Sequence, residues 1–143
     1  MKKNLLYTLL LMISIASTFS ACSKDTAAAE LDLSYNMIAD KTWYLEYTQT
    51  ITSTSATQKT YVGQSTYFVN FLKNLTTNDS DGLKGTYSVQ KTNTQLQIKV
   101  NAKTANGSAS NYTYNVESLG AKNMVLSFVN GTTQTKFFFS TQK

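Results

Sequence analysis

From Asp40 to the C-terminus, apolar side chains recur at every second position. A strand turns successive side chains to opposite faces, whereas a helix requires repeats of three and four. Leu96, Ile98 and Val100 alternate with Gln95, Gln97 and Lys99, which makes this the clearest half-buried strand in the chain. Trp43, Leu45 and Tyr47 point one way, and Glu46 and Thr48 the other. Tyr112, Tyr114 and Val116 repeat the pattern, as do Met124, Leu126 and Phe128. Tyr67, Val69 and Phe71 form a further inward row, while Phe68 and Leu72 make that strand apolar on both faces. Phe137, Phe138 and Phe139 do the same near the C-terminus.

Turn-forming residues separate these runs, at Asn78 to Gly82, Lys91 to Thr94, Ala105 to Ser108, Gly120 and Asn130-Gly131. The last is the strongest short hairpin signal, because two good strands flank it. About eight strands at spacings of roughly 8–12 residues predict an antiparallel sandwich or barrel. Abundant Thr, Tyr, Phe and Val agree with that reading, and the chain has no Pro to interrupt a strand.

The N-terminus follows a different grammar. Lys2 and Lys3 precede an uncharged apolar or small run from Leu5 to Phe19, and Ser20-Ala21 supplies small residues before Cys22. A charged, apolar and small-residue order is that of a secretory signal. The run is about fifteen residues, short of the roughly 20 that cross a bilayer as a helix. Cys22 is the single cysteine, so no intramolecular disulfide is available to it. Phe19-Ser20-Ala21-Cys22 resembles a lipobox, with Phe19 where that motif usually has Leu. The resemblance implies a signal peptide over residues 1–21, acylation of Cys22, and a membrane partner reached through that lipid. Two or more acyl chains suffice for stable anchoring, whereas one holds only marginally. The expected location is the cell envelope, lipid-anchored at the outer membrane.

Removing 21 of the 143 residues leaves 122, one domain's worth of chain. Residues 22–30 carry no bulky apolar side chain and read as a flexible tether from Cys22. Asp25-Thr26-Ala27 looks like the Asp-Thr-small acceptor pattern for O-glycosylation, but a three-residue match is nonspecific and a plain flexible linker is the favoured reading. Leu31, Tyr35 and Ile38 are spaced for one helix face, predicting a short amphipathic helix over about Leu31 to Asp40. Residues 31–143 form the domain.

Lys41-Thr42-Trp43-Tyr44-Leu45 follows that helix, then the aromatic strand Tyr67 to Leu72, the strand Gly85-Thr86-Tyr87-Ser88-Val89, and hairpins to the end. This arrangement resembles the small lipocalin-like domains found in lipoproteins of Gram-negative bacteria, over essentially Leu31 to Gln142. The resemblance implies an all-β, up-and-down antiparallel barrel of about eight strands with a short N-terminal helix. Better-studied lipocalins place Gly two residues before the tryptophan, where this chain has Lys41. They also pack an Arg of the last strand over that tryptophan. This chain has no Arg, and Lys136 is the cation placed to substitute through a cation–π contact.

Composition closes several routes to function. The chain has no His, which excludes Ser-His-Asp and Cys-His catalysis and His-ligated metal sites. Without Lys2 and Lys3, eleven lysines face eight acidic residues, a net side-chain charge of +3. Those lysines are scattered, and no Arg offers a bidentate fork to phosphate or base edges, so nucleic acid is not an expected partner. Glu46 and Glu117 fall on the polar side of their strands, which does not bring two carboxylates together as a glycosidase needs. Aligned on Gly82, Asp79-Ser80-Asp81-Gly82 puts Thr77 and Ser88 where a calcium loop needs its first ligand and its bidentate Glu. The segment reads as a turn instead. No catalytic residue, metal ligand or cofactor is expected.

The aromatics remain. Trp43, Tyr47, Tyr67, Tyr87, Tyr112 and Tyr114 sit on inward faces, suited to a pocket for one small amphipathic or hydrophobic ligand. The same residues could instead fill the barrel, because eight strands are just wide enough for either outcome. A filled core would leave an interaction module, such as an accessory subunit of a surface complex or a protein inhibitor. Phe68, Leu72 and Phe138 on the opposite faces would then supply the patch for a protein partner.

Overall fold

The computed structural model describes residues 22–61, 67–92, 94–104 and 106–143. The expected signal segment, residues 1–21, lies outside them. Helix α1 spans Cys22–Ile38, and nine strands follow: β1 (Lys41–Ile51), β2 (Ala56–Thr60), β3 (Phe68–Phe71), β4 (Thr76–Asp79) and β5 (Lys84–Lys91), then β6 (Leu96–Lys103), β7 (Ala109–Leu119), β8 (Asn123–Asn130) and β9 (Thr133–Ser140).

All pairings are antiparallel, and β1–β9 pairing closes the sheet into a barrel. The nine strands make eight barrel positions. β2 and β3 lie on the same edge of β1, β2 along Tyr47–Ile51 and β3 along Lys41–Tyr44, so together they occupy one position. Closure removes the free edge that β9 would otherwise present, while β2 pairs with β1 alone and keeps its outer edge. The Asn130-Gly131 hairpin forms as expected. Gly131, at φ +61°, is the first of two central residues, the place a two-residue turn reserves for a residue free to take positive φ.

Two turns lack the usual Gly, Pro or Asn-Gly signature. The β1–β2 turn is built from Thr52 to Ser55, where Thr52 Oγ1 accepts from the Ser55 N–H at 3.0 Å. At the β3–β4 turn Leu75 takes φ +64°, and Asn74 Oδ1 accepts from the Thr76 N–H at 3.1 Å.

The expected helix from Leu31 is longer at its start. Residues 22–30, read from sequence as a tether, are helical in the structure. Ala27, Ala28, Ala29 and Glu30 are strong helix formers, so the absence of bulky side chains does not prevent a helix there. The helix ends at Ile38, and Asp40 at φ +56° reverses the chain into β1. Asp40 Oδ1 accepts from the Lys73 N–H at 2.9 Å, and this bond is the main reason its carboxyl titrates below the ordinary range.

Core residues concentrate at the barrel end that meets Ile38. Trp43, Ile38, Ile98 and Met124 are fully buried there. The Trp43 indole N–H donates to the Ile38 carbonyl oxygen at 3.0 Å, satisfying a group that the helix end leaves unpaired. Tyr87 is also buried, packs edge-on against Phe71 at 4.9 Å between ring centres, and donates its hydroxyl to the Leu72 carbonyl at 3.0 Å. Across β5, β6 and β7 the outer face is polar in turn. Gln90 donates to Gln97, and Gln97 to Asn115, in an amide ladder across β5, β6 and β7.

Bulges break the alternation in two strands. Pairing slips between Leu45 and Tyr47 in β1 and between Val116 and Ser118 in β7, leaving Glu46 and Glu117 as the inserted residues. Glu117 Oε1 accepts from the Ser127 hydroxyl at 2.6 Å.

Candidate functional site

Beyond its packed end the barrel is hollow. A cavity of about 490 Å³ runs toward the opposite end, where the β4–β5 and β6–β7 turns contribute Asp81, Leu83 and Thr104 to its rim. Its deep wall is apolar, formed by Leu45, Val69, Phe71, Val100, Leu126 and Phe139, all buried. Strand alternation delivers these side chains from β1, β3, β6, β8 and β9. Tyrosines gather above them. Tyr61, Tyr67, Tyr112 and Tyr114 line the cavity together with Phe137.

The six tyrosine and tryptophan positions expected at a ligand divide into three groups. Tyr67, Tyr112 and Tyr114 line the cavity. Trp43 and Tyr87 do not line it, and pack the closed end beneath it. Tyr47 corrects the expectation more sharply. The bulge at Glu46 shifts the alternation by one residue, so Thr48 lines the cavity and Tyr47 turns outward. Its ring stacks on outward-facing Phe138, with centres 4.1 Å apart. Phe128, expected inward, does meet the Tyr112 and Tyr114 rings, at 6.2 and 6.1 Å.

The cation beside Trp43 also differs from the expected one. Lys136 pairs across to Gln49 and Ser127, whereas the Lys41 ammonium lies 5.6 Å from the Trp43 ring centre. Lys41 also donates to the Met37 and Ala121 carbonyls, which holds it in place. Lys41, two residues before the tryptophan, therefore supplies the cation itself.

Asp79 organises the rim. Its Oδ1 accepts from the Asp81 and Leu83 N–H groups at 3.0 and 2.9 Å, closing the turn expected over Asn78 to Gly82. Its Oδ2 accepts from the Tyr67 hydroxyl at 3.0 Å. Burial, followed by the Asp79 charge, pushes the Tyr67 hydroxyl far above the ordinary tyrosine range. Burial, with Tyr112 next, pushes Tyr114 up to about 12. Both phenols are neutral at physiological pH, and the Tyr67 proton is committed to Asp79.

Sequence reasoning assigned no ligand role to Asp79, Asp81, Tyr61, Phe137 or Phe139. Phe137 and Phe139 were legible as a row of alternate residues on the last strand. The two aspartates carried only a turn signal. Among the described residues no group of three or more His, Cys, Asp or Glu could hold a metal ion. Glu46 and Glu117 do not line the cavity.

The chain matches no family model, no curated protein and no solved structure. The geometry itself carries the functional argument. An apolar end and a hydroxyl-rich, carboxylate-bearing rim, within one cavity open to solvent at the rim, can hold a small molecule that is greasy at one end and polar at the other. No helix among the described residues is long and apolar enough to cross a membrane.

Proposed function

We propose that this protein is a lipid-anchored envelope lipoprotein, held at the outer membrane through Cys22, whose lipocalin-like barrel binds a small amphipathic or hydrophobic ligand. The observation that carries the binding reading is the unfilled interior of about 490 Å³. Small-molecule sites fall at roughly 300–1,000 Å³, and side chains bulky enough to fill a barrel of this width are present but leave the space open. The anchor reading rests on the Phe19-Ser20-Ala21-Cys22 motif after an apolar run, and on Cys22 being the single cysteine.

Native mass spectrometry of the protein extracted from producing cells tests both parts. The expected mature chain begins at Cys22, carries acyl chains there, and retains one small molecule per chain. An unprocessed, unacylated chain would overturn the anchor. A chain that carries no small molecule and takes up none on titration would overturn the carrier.

A second reading, capture of a protein partner, draws on the outward Tyr47–Phe138 stack. A substantial fall in partner capture in Phe138→Ser would favour it, and no change would remove Phe138 from that role.

A further inference from the structure

We infer that the cavity selects a ligand whose polar end is a cation, an amine or quaternary ammonium, with Asp81 as its counter-charge. This rests on the reading of the cavity as a ligand site and adds the sign of the ligand's charge.

The chain is basic overall, yet the charged side chains that line the cavity are Asp79 and Asp81, with no lysine among them. Residues 62–66, which lie outside the described ones, are Val-Gly-Gln-Ser-Thr and carry no charge. The two carboxylates differ in what occupies them. Asp79 is engaged by two backbone N–H groups and the Tyr67 hydroxyl. No hydrogen bond or ion pair engages the Asp81 carboxylate among the described residues, and it stands at the rim where the cavity meets solvent. The lysines near this rim do not line the cavity: Lys59 sets its ammonium over the Tyr61 ring at 5.1 Å, and Lys84 and Lys103 face each other across β5 and β6.

A ligand seated with its apolar part on Phe71, Val100 and Leu126 brings its polar end to this rim. An anionic end would face two like charges where water is partly excluded, which is unfavourable. A neutral end would meet the tyrosine and threonine hydroxyls and could donate to Asp81, without a charge–charge attraction. A cationic end gains the attraction of Asp81, undiminished by any internal partner, and the negative faces of the Tyr112 and Tyr114 rings. Rim charge pairs are modest and salt-dependent, so the preference is expected to be several-fold and to weaken as ionic strength rises.

The test is a calorimetric titration of the full chain with three probes of one shape: 4-phenylbutylamine, 4-phenylbutan-1-ol and 4-phenylbutanoate. The amine should bind about five- to tenfold more tightly than the alcohol, with the carboxylate weakest, on the scale of one exposed charge pair plus ring contacts. Asp81→Asn, at an exposed turn position, should bring the amine down to the alcohol's affinity without changing the alcohol's. Equal binding of all three, tightest binding of the carboxylate, or an amine preference untouched by Asp81→Asn would overturn the charge assignment and leave the cavity as a ligand site. Binding of none would overturn the cavity reading together with it.

Discussion

The Tyr67 hydroxyl donates to Asp79 Oδ2 at 3.0 Å, tying the cavity wall beside β3 to the turn that forms the rim. The same carboxylate holds the turn closed through the Asp81 and Leu83 N–H groups, so wall and rim share one acceptor. Tyr67→Phe removes the donor and keeps the ring. A loss of about 1–3 kcal/mol is expected, the range for a hydrogen bond to a charged group, measured as a lower urea midpoint at unchanged slope. An unchanged midpoint would mean that water replaces the phenol at no cost.

Burial raises the hydroxyls of Tyr67, Tyr87 and Tyr114 above the ordinary tyrosine value of about 10. A raised folded-state value means that the unfolded chain loses these protons first. Their contribution is therefore complete below about pH 10 and is lost as pH rises from there toward the folded-state values. Urea midpoints should stay level up to about pH 9.5 and fall steeply above 10. The triple variant carrying phenylalanine at 67, 87 and 114 should show a shallower alkaline fall.

Trp43→Phe keeps a large apolar ring but loses the N–H that caps Ile38. A cost of about 2–4 kcal/mol is expected, combining an unsatisfied buried carbonyl with the space left by the smaller ring. Because Trp43 packs beneath the cavity and does not line it, probe affinity per folded molecule should stay the same. A variant of normal stability with weakened binding would contradict this placement.

Gly85 faces Ala102 across β5 and β6, and a Cβ there would collide with the Asn101 carbonyl oxygen and lie 2.5 Å from Ala102 Cα. These are backbone atoms, so Gly85→Ala can be accommodated only by moving a strand. A cost of about 1–3 kcal/mol or more is expected. Gly120→Ala is the control, since its nearest neighbour would be the Asn123 carbonyl oxygen at 3.7 Å. The two variants should separate clearly in thermal midpoint.

Legibility in the sequence tracked how local each structural determinant is. The row Leu96, Ile98, Val100 became a strand whose last two members are buried, and the Asn130-Gly131 signal marked a hairpin whose two-residue loop is Gly131-Thr132, because period and turn chemistry act over a few residues. The resemblance implied an up-and-down barrel and left its closure open; pairing of β1 with β9 closes it. Tyr47 was misplaced because a bulge leaves no mark in composition: Glu46 looks like any polar alternate residue, yet it is the insertion that turns Tyr47 outward. The Thr52–Ser55 turn uses a hydroxyl where Gly or Asn would have signalled it. Lys41 displaced Lys136 as the cation beside Trp43 because that contact depends on where the helix end and the Ala121 carbonyl fall in space. The aspartates at the rim were read correctly as a turn. That they border a cavity is a property of the closed barrel and of no single segment.

The measurement that bears most directly on the account is titration of the full chain with the neutral dye N-phenyl-1-naphthylamine, alongside Leu126→Trp. Leu126 is buried on the cavity wall, and an indole there would project into the open volume. The account predicts saturable fluorescence enhancement with one site per chain, loss of about tenfold or more in affinity in the variant, and little loss of fold stability, since space is filled and none is vacated. Enhancement of equal strength in both proteins, or none in either, would contradict a ligand site inside the barrel.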